Sequence, residues 1–306
     1  MFKTLLMAGA ALAMAGAASA RELKSVGVTV GSLGNPFFVA VGKGATDAVR
    51  QVNPQAKVTI ASADYDLNKQ FTQIDNFIAA GVDLILVNAA DARAIAPAVK
   101  RAQAAGITVV GVDVAAAGAD AVVQTNNAQA GEIACQFMAD AIGRKGNVII
   151  QNGPQVSAVV DRVNGCKRVL GQYGDIKLLS SDQDGKGSRD GGLNVMQGYL
   201  TRFPSIQGVF AINDPQAIGS DLAAKQLNRT GIVITSVDGA PDIVGALKGQ
   251  TQVQASASQD PYAMGKLAVE TGVGIMNGTK PADPMILMPS QLITRDNVGS
   301  YAGWTR

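Results

Sequence analysis

The sequence contains no histidine, and this absence excludes several classes of enzyme. Without imidazole the chain cannot form a Ser-His-Asp triad, a histidine metal site or a histidine general base. Acid–base chemistry would have to come from carboxylates alone, and a glycosidase-like pair such as Asp113 and Asp238 is the arrangement to consider. We therefore expect a protein that is not an enzyme and that carries no metal or cofactor.

An excess of charge is also lacking, because 26 Lys and Arg stand against 24 Asp and Glu, for a net charge of +2. The sequence has no basic block of the kind that binds nucleic acid. A transcriptional repressor would also need a DNA-binding helix-turn-helix at its N-terminus, where this chain has an apolar segment. A neutral ligand such as a sugar fits this charge balance better than nucleic acid does.

Residues 1–20 combine one lysine, Lys3, with an apolar run that ends in the small residues at 18–20. This pattern predicts a secretory signal peptide. A transmembrane anchor is the weaker alternative, because the run is short, ends in small residues and meets Arg21 directly. No cysteine follows the run to take a lipid. We expect a soluble protein that is exported to the periplasm and is not anchored to the membrane.

Cysteine is scarce as well, with Cys135 and Cys166 in predicted helices on either side of a predicted strand at 147–151. An oxidising compartment would allow a disulfide between neighbouring helices. A bridge and two buried free thiols therefore both stay open. A catalytic thiol is unsupported, because no histidine is available to activate it.

Short apolar runs alternate with amphipathic segments along nearly the whole chain from Leu23. The runs are almost continuously apolar, as in strands buried on both faces of a sheet, and the segments between them have helical spacing. Examples of the runs are Val58–Ile60, Leu84–Val87, Val148–Ile150 and Gly208–Ile212. This βαβ pattern predicts parallel sheets covered by helices, and 306 residues are enough for two domains.

Polar side chains follow four of the predicted strands directly: Asn88, Asp113, Asn213 and Asp238. Each one alone could be a helix cap or a turn residue. Ligands of open α/β sheets bind outside the carboxyl ends of the strands, so the four together predict a shared polar cleft. Amide and carboxylate groups match both the donor and the acceptor sides of sugar hydroxyl groups.

The stretch 32–38 lies between the first predicted strand and a predicted helix. Asn35 can cap that helix, and Pro36 suits its first position. The adjacent Phe37 and Phe38 have two interpretations that the residues leave open. Their rings could pack under the edge of the sheet, or they could form an aromatic clamp for a flat ligand with hydroxyl groups.

Four motifs follow one another in a characteristic order. They are Asn35-Pro36-Phe37-Phe38, the Gly-Leu-Asn-Val-Met-Gln segment at 192–197, the Val-Phe-Ala-Ile-Asn-Asp segment at 209–214, and Val237-Asp238-Gly239. Together they resemble the ribose-binding-protein family of periplasmic sugar-binding proteins, which serve ABC transporters. The resemblance covers essentially the whole mature chain. It implies a type I periplasmic binding fold, in which two doubly wound parallel-sheet α/β domains are joined by three hinge segments.

The resemblance also implies that both domains are discontinuous in sequence. The N-terminal sugar-binding lobe is expected at 23–124 plus 259–286, and the C-terminal lobe at 125–258 plus 287–306. The hinges are then expected near Thr125, Ser258 and Met285.

A set of ligand contacts follows from the resemblance, residue by residue. Arginine would donate to ring or hydroxyl oxygens, the carboxylates would accept from hydroxyl groups, the amides could do both, and the aromatic rings would cover C–H surface. No bond would be broken. The implied contacts are Asn35, Phe37, Phe38, Asp113, Arg162, Asn213, Asp238 and Gln259.

Two positions depart from the ribose-binding pattern. Val114 stands where that pattern has a second arginine, and the segment 184–188 (Asp-Gly-Lys-Gly-Ser) stands where it has an aromatic residue. One charged donor and one stacking face are therefore missing. Because a site built to bond a hydroxyl group rejects ligands without it, these losses predict a pentose, hexose or sugar alcohol other than ribose.

The function implied by the resemblance is the solute-binding component of a sugar ABC importer. A monomer would close around its sugar or polyol and deliver it to an inner-membrane permease. The alternative is a binder of a small signalling molecule or of a chemoreceptor ligand with the same fold, since only the ligand and the docking partner would differ.

Overall fold

The computed structural model describes residues 21–304, and the predicted signal peptide at 1–20 lies outside the described residues. In this range the strands are β1 (Ser25–Val30), β2 (Lys57–Ser62), β3 (Leu84–Val87), β4 (Thr108–Val112), β5 (Ala121–Thr125), β6 (Gly146–Gln151), β7 (Ile176–Ser180), β8 (Gly208–Ala211), β9 (Val233–Asp238), β10 (Val253–Ser258), β11 (Met285–Met288) and β12 (Gln291–Thr294). The helices are α1 (Pro36–Val52), α2 (Leu67–Ala79), α3 (Ala96–Ala104), α4 (Asn127–Ala141), α5 (Ser157–Leu170), α6 (Arg189–Arg202), α7 (Asp214–Gln226), α8 (Pro241–Lys248) and α9 (Pro261–Met276), followed by a short 3-10 helix at Val298–Ser300.

The strands of residues 21–304 form two six-stranded sheets. The first has the order β11-β5-β4-β3-β1-β2, with every pair parallel. The second has the order β12-β10-β9-β8-β6-β7 and is parallel except where β12 pairs with β10. The predicted fold class of two parallel-sheet α/β domains is confirmed. We call the units around the two sheets the first lobe and the second lobe.

The local sequence explains why these elements begin and end where they do. All of Leu84–Val87 is buried, as an uninterrupted apolar run in the middle of a covered parallel sheet should be. Helices begin at polar residues whose side chains accept hydrogen bonds from the first turn: Asn35 caps α1, Asp66 caps α2 and Asn213 caps α7. Because these caps follow strands, they place polar side chains at the carboxyl edges of the sheets.

The described chain passes between the lobes after Thr125, after Ser258 and after Met288. Hydrogen bonds join neighbouring crossings, from Thr125 Oγ1 to Gln259 Oε1 (2.6 Å) and from Ser290 Oγ to Ser258 O (2.7 Å). The predicted boundary between residues 286 and 287 falls inside β11, because that strand stays paired with β5 as far as Met288. The other lobe boundaries stay predictions.

Helices α4 and α5 form a rigid pair in the second lobe. A disulfide joins Cys135 to Cys166, with the two Cα atoms 5.1 Å apart. Gly131 of α4 lies so close to α5 that an added Cβ would be 2.1 Å from the carbonyl oxygen of Arg162. The pair therefore fixes the position of the backbone that carries Arg162.

Candidate ligand-binding site

A cavity lies between the lobes, at the carboxyl ends of their strands. The structure brings every predicted contact residue to this one cavity: Asn35, Phe37, Phe38, Asp113, Arg162, Asn213, Asp238 and Gln259. Their contact with a ligand stays a prediction. Their convergence nevertheless means that both lobes contribute polar groups to a single space.

An aromatic wall comes from the first lobe. Asn35 Oδ1 accepts from Phe37 N (3.0 Å), so the asparagine caps α1, and Pro36 occupies the first helical position. The rings of Phe37 and Phe38 meet edge to face, with centroids 5.4 Å apart. They belong to the core of the lobe and also line the cavity, and their role as a clamp on a ligand stays a prediction.

One carboxylate reaches the cavity from the first lobe. Asp113 follows β4 directly, and its Oδ2 accepts from Asn88 Nδ2 (2.8 Å). Burial raises the pKa of Asp113 to about 7, although the positive charge of Arg162 acts in the opposite direction. Since no cation makes a direct ion pair with this carboxylate among residues 21–304, it is a strong acceptor that a ligand could satisfy.

Arg162 is held in the second lobe by several partners. Its Nε donates to Asn127 Oδ1 (2.8 Å), and its Nη1 donates to Ile212 O (2.9 Å) and lies 3.6 Å from Asp238 Oδ1. Arg162 as a whole is only 5% exposed. Within the described range no protein group accepts from Nη2, so a fixed guanidinium keeps donor capacity for the cavity.

Asp238 sits on a network that fixes its carboxylate. Its Oδ1 accepts from Gln259 Nε2 (2.7 Å), and its Oδ2 accepts from Asp214 N (3.4 Å). Burial raises the pKa of Asp238 to about 6, against the lowering effect of Arg162. Behind it, Asp214 accepts from Ser236 Oγ and from two other donors, and its pKa is raised well above the usual value by burial and by the charge of Asp238.

The two remaining predicted amides are used largely by the scaffold. Asn213 Oδ1 accepts from Gln216 N (3.1 Å) as a helix cap, and its Nδ2 donates to Gly187 O (2.9 Å). Gln259 accepts from Thr125 Oγ1 and donates to Asp238. Both therefore organise the cavity as well as line it.

Backbone strain is concentrated around the cavity. A positive φ is uncommon for residues other than glycine, yet Tyr65 (φ +58°), Asp113 (φ +70°) and Asp238 (φ +139°) all have it and all line this space. Such conformations persist where the surrounding structure holds a side chain in a required direction. The two acids and the tyrosine are therefore candidates for groups whose direction matters.

Several lining residues were not among the predicted contacts. Asn88 directly follows β3 and was predicted to face the polar cleft, although it was not among the ligand contacts. Tyr65 follows β2 only after a short loop, so its place at a strand end did not mark it. The rest of the unpredicted lining is mainly aliphatic. It consists of Val114, Pro154, Val156, Val159, Gly187 and Ile212.

Residues 21–304 contain neither a metal-binding cluster nor a membrane-spanning helix. No group of three or more Asp, Glu, Cys or His side chains there is arranged to hold a metal ion. None of the helices in that range has both the length and the apolar character needed to cross a membrane.

Known proteins are similar to this chain in both sequence and fold. The family model for a periplasmic binding protein domain matches residues 26–280. The ribose import binding protein of Bacillus subtilis is 34% identical, with 84% of this chain and 83% of the relative covered. The xylitol-binding protein of Mycolicibacterium smegmatis is 32% identical, with 90% and 79% covered. An ABC transporter solute-binding protein of Actinobacillus succinogenes, solved with bound D-allose, is 27% identical with a TM-score of 0.83, and the alignment covers 91% of this chain and 100% of that one.

Proposed function

This chain belongs to the periplasmic binding protein family, and we propose that it captures a neutral sugar or sugar alcohol for an ABC importer. It acts as a transport component and not as an enzyme. The observation that carries the proposal is one cavity in which a guanidinium and a carboxylate from the second lobe meet a carboxylate and aromatic rings from the first lobe. This combination suits a ligand with many hydroxyl groups and an apolar C–H face.

In the proposed complex each charged group has a distinct role. Asp113 and Asp238 accept hydrogen bonds from ligand hydroxyl groups, and Arg162 donates from Nη2 to a ring or hydroxyl oxygen. Phe37 and Phe38 cover the C–H face. The amides of Asn35, Asn213 and Gln259 complete the polar lining, with much of their capacity already used to hold neighbouring groups.

Capture proceeds by closure of the lobes over the ligand. A ligand shifts an equilibrium between open and closed forms only if it binds the closed form more tightly. Contacts from Asp113 in the first lobe and from Arg162 and Asp238 in the second meet this condition, because only the closed form offers them together. The closed monomer then docks on an inner-membrane permease.

The ligand is a pentose, a hexose or a linear sugar alcohol other than ribose. Val114 is 1% exposed and lines the cavity where the ribose-binding pattern has a second arginine, so one charged donor is replaced by an aliphatic wall. Two relatives are named for ribose and xylitol, and a third was solved with bound D-allose, which supports the class of ligand more than any one member.

Residues 1–20 direct the chain to the periplasm and are then removed. The Cys135–Cys166 disulfide supports this location, because such bonds persist mainly in oxidising compartments. Mass spectrometry of the protein from a periplasmic fraction should give the mass of a chain beginning near Arg21, and an uncleaved chain would contradict this part of the proposal.

Thermal unfolding against a panel of pentoses, hexoses, deoxysugars and polyols tests the function. A compound at about 100 times its Kd stabilises the native state by about 2.7 kcal/mol, so the midpoint should rise by several degrees. Isothermal titration then gives the Kd of each hit. Ribose binding more tightly than every other compound would overturn the proposed specificity, and a panel without any hit would overturn a sugar ligand.

A further inference from the structure

Tyr65 lies at a partition between two cavities. It lines the inner cavity described above and also a larger outer cavity at the mouth of the cleft. Asn35 and Gly187 line both as well, the first from the first lobe and the second from the second lobe. The inner space therefore ends where these three residues meet.

The backbone of this segment is held in an uncommon conformation. Asp64 and Tyr65 are consecutive and both have positive φ, +53° and +58°. Ser62 Oγ donates to Asp64 Oδ1 (2.6 Å), Lys69 forms an ion pair with Asp64, and Tyr65 N donates to Gly31 O (3.2 Å). Because so many contacts maintain two successive left-handed residues, the direction of the Tyr65 side chain is strongly determined.

The Tyr65 ring is closely packed against other residues of the first lobe. It packs against Phe38, with ring centroids 6.4 Å apart and planes inclined by 68°. Gly31 lies beneath it, where an added Cβ would be 2.7 Å from Tyr65 Cε1. Any larger residue at position 31 would displace the ring, so a glycine and a phenylalanine together set its place.

The Tyr65 hydroxyl points toward the second lobe and the charged part of the cavity. A Cβ added at Gly187 would lie 4.0 Å from it, so the hydroxyl reaches the glycine-containing loop before α6. No hydrogen-bond partner of this hydroxyl is found in the part of the chain that the structure describes. Burial, followed by the charges of Asp113 and Asp238, raises the pKa of Tyr65, and the group stays a neutral donor at physiological pH.

The second lobe contributes no aromatic ring to the lining of the inner cavity, as far as residues 21–304 are concerned. The loop that contains Gly187 leaves room there, and Tyr65 reaches this room from the opposite lobe. A ring at the end of the cavity, with an unused donor beside it, has the features of a wall that also recognises a terminal hydroxyl group.

We propose that Tyr65 is the residue that sets the length of the bound ligand, with its ring closing the inner cavity and its hydroxyl donating to the ligand's terminal oxygen. This inference rests on the proposed sugar-binding function. It places the selectivity for chain length in the first lobe and leaves the outer cavity outside the binding site of the wild-type protein.

Two homologous series of compounds test the proposal by isothermal titration. One runs from tetritols through pentitols and hexitols to heptitols, and the other from aldopentoses through aldohexoses to aldoheptoses. The wild-type protein should prefer one size and bind the next larger homologue at least about tenfold more weakly. In Tyr65→Ala that discrimination should fall by about tenfold, because the two cavities become continuous. Tyr65→Phe should keep the preferred size and lose affinity for it.

Controls separate this role from a structural one. Tyr173→Phe removes a hydroxyl that bonds Gln136 far from the cavity and should change neither affinity nor size preference. If Tyr65→Ala does not fold, Tyr65→Asn serves instead, since asparagine tolerates the left-handed backbone and is too short to form the wall. A size preference that survives truncation of Tyr65 overturns this inference alone, whereas a wild-type protein that binds neither series overturns the proposed function first.

Discussion

The two sides of the cleft differ in the kind of surface that they offer. The first lobe contributes aromatic rings, from Phe37, Phe38 and Tyr65, together with one carboxylate, Asp113. The second lobe contributes a guanidinium, a carboxylate and the amide of Asn213, set among aliphatic side chains, whereas the amides of Asn35 and Asn88 belong to the first lobe. One side therefore offers faces for C–H groups, and the other offers most of the fixed charge.

The two sides also differ in how their functional groups are held. Arg162 lies on a helix that is joined to its neighbour by the disulfide, and its guanidinium bonds to Asn127 and Ile212. In the first lobe, Asp113 accepts from the single side chain of Asn88. We infer that the second lobe presents a prearranged polar surface, and that a ligand completes the hydrogen bonding of the first.

The largest expected effect comes from removing the central charge of the second lobe. Arg162→Ala should weaken ligand binding by at least about 100-fold, because each lost charge-assisted hydrogen bond is worth about 1.5–3 kcal/mol. Removal also leaves the buried Asp238 without its counter-ion. Isothermal titration measures the change in Kd.

A matched control for this variant lies nearly two turns further along the same helix. Arg168→Ala removes a guanidinium that pairs with Glu132 at the surface, and it should leave the affinity unchanged. Near-wild-type affinity in Arg162→Ala would show that Arg162 does not contact the ligand. The contrast between the two lobes would then not hold.

The disulfide should matter for stability more than for affinity. Replacing Cys135 and Cys166 with serine together should lower the free energy of unfolding by about 4 kcal/mol, since the bond closes a loop across a sequence separation of 31 residues. Denaturant titration measures this change, and titration calorimetry measures binding. If affinity falls in parallel with stability, the prearrangement of Arg162 depends on the bond itself and not on the close packing at Gly131.

The pH dependence of binding should show whether Asp113, the carboxylate of the first lobe, accepts hydrogen bonds from the ligand. Asp113 has a pKa of about 7 without ligand, and hydroxyl groups that donate to it would favour the charged form and lower that pKa. Binding should then release a proton, and affinity should rise by about tenfold between pH 6 and 8. The raised pKa of Asp113 also affects the stability of the ligand-free protein. Between about pH 4 and 7 the folded protein keeps a proton on this group that the unfolded chain has lost, so the free energy of unfolding falls as pH rises through this range.

Asp113→Asn provides the comparison for this pH profile. The variant should bind more weakly and with a flatter dependence on pH, the remaining slope coming from Asp238 with its pKa of about 6. Titrations in buffers of different ionisation enthalpy count the protons released. A wild-type affinity that falls with rising pH would contradict the role of Asp113 as an acceptor.

Much of this molecule can be predicted from its sequence, for reasons that the structure makes clear. A buried strand such as Leu84–Val87 is a continuous apolar run, and the polar residues after the strands are helix caps or cavity acids, so local pattern and position coincide. The prediction that Arg162 lies in the site came from the family resemblance. From periodicity alone, Arg162 is one polar residue on a helix.

Other features depend on contacts that no local pattern encodes. The left-handed turn at Tyr65 requires Gly31 beneath the ring, and Gly31 is more than 30 residues away in sequence. The end of β11 is set by its pairing with β5, and not by its own composition. These non-local contacts explain why Tyr65 was missed and why the predicted third boundary fell within a strand.

The smallest expected effect concerns Trp304, which contacts both an aromatic ring of the first lobe and the backbone of Asp238 in the second lobe. Trp304, the only tryptophan in the sequence, donates from Nε1 to Asp238 O and to Gln259 O (both 3.0 Å), and its ring meets Phe37 edge to face at 5.7 Å. Trp304→Phe keeps an aromatic ring and removes both hydrogen bonds. Affinity should fall a few-fold, by about 1 kcal/mol, because the backbone of Asp238 becomes less fixed.

Tyr301→Phe tests whether this effect is specific to the junction. Tyr301 lies in the same C-terminal segment and donates to Gly239 O (3.1 Å), but it neither lines the inner cavity nor contacts Phe37. Its loss should lower the melting temperature slightly and leave Kd unchanged. If Trp304→Phe behaves in the same way, the aromatic rings of the first lobe and the charged groups of the second lobe contribute to binding independently. The hydrogen bond between Thr125 and Gln259 at the hinge is then the contact that couples the lobes.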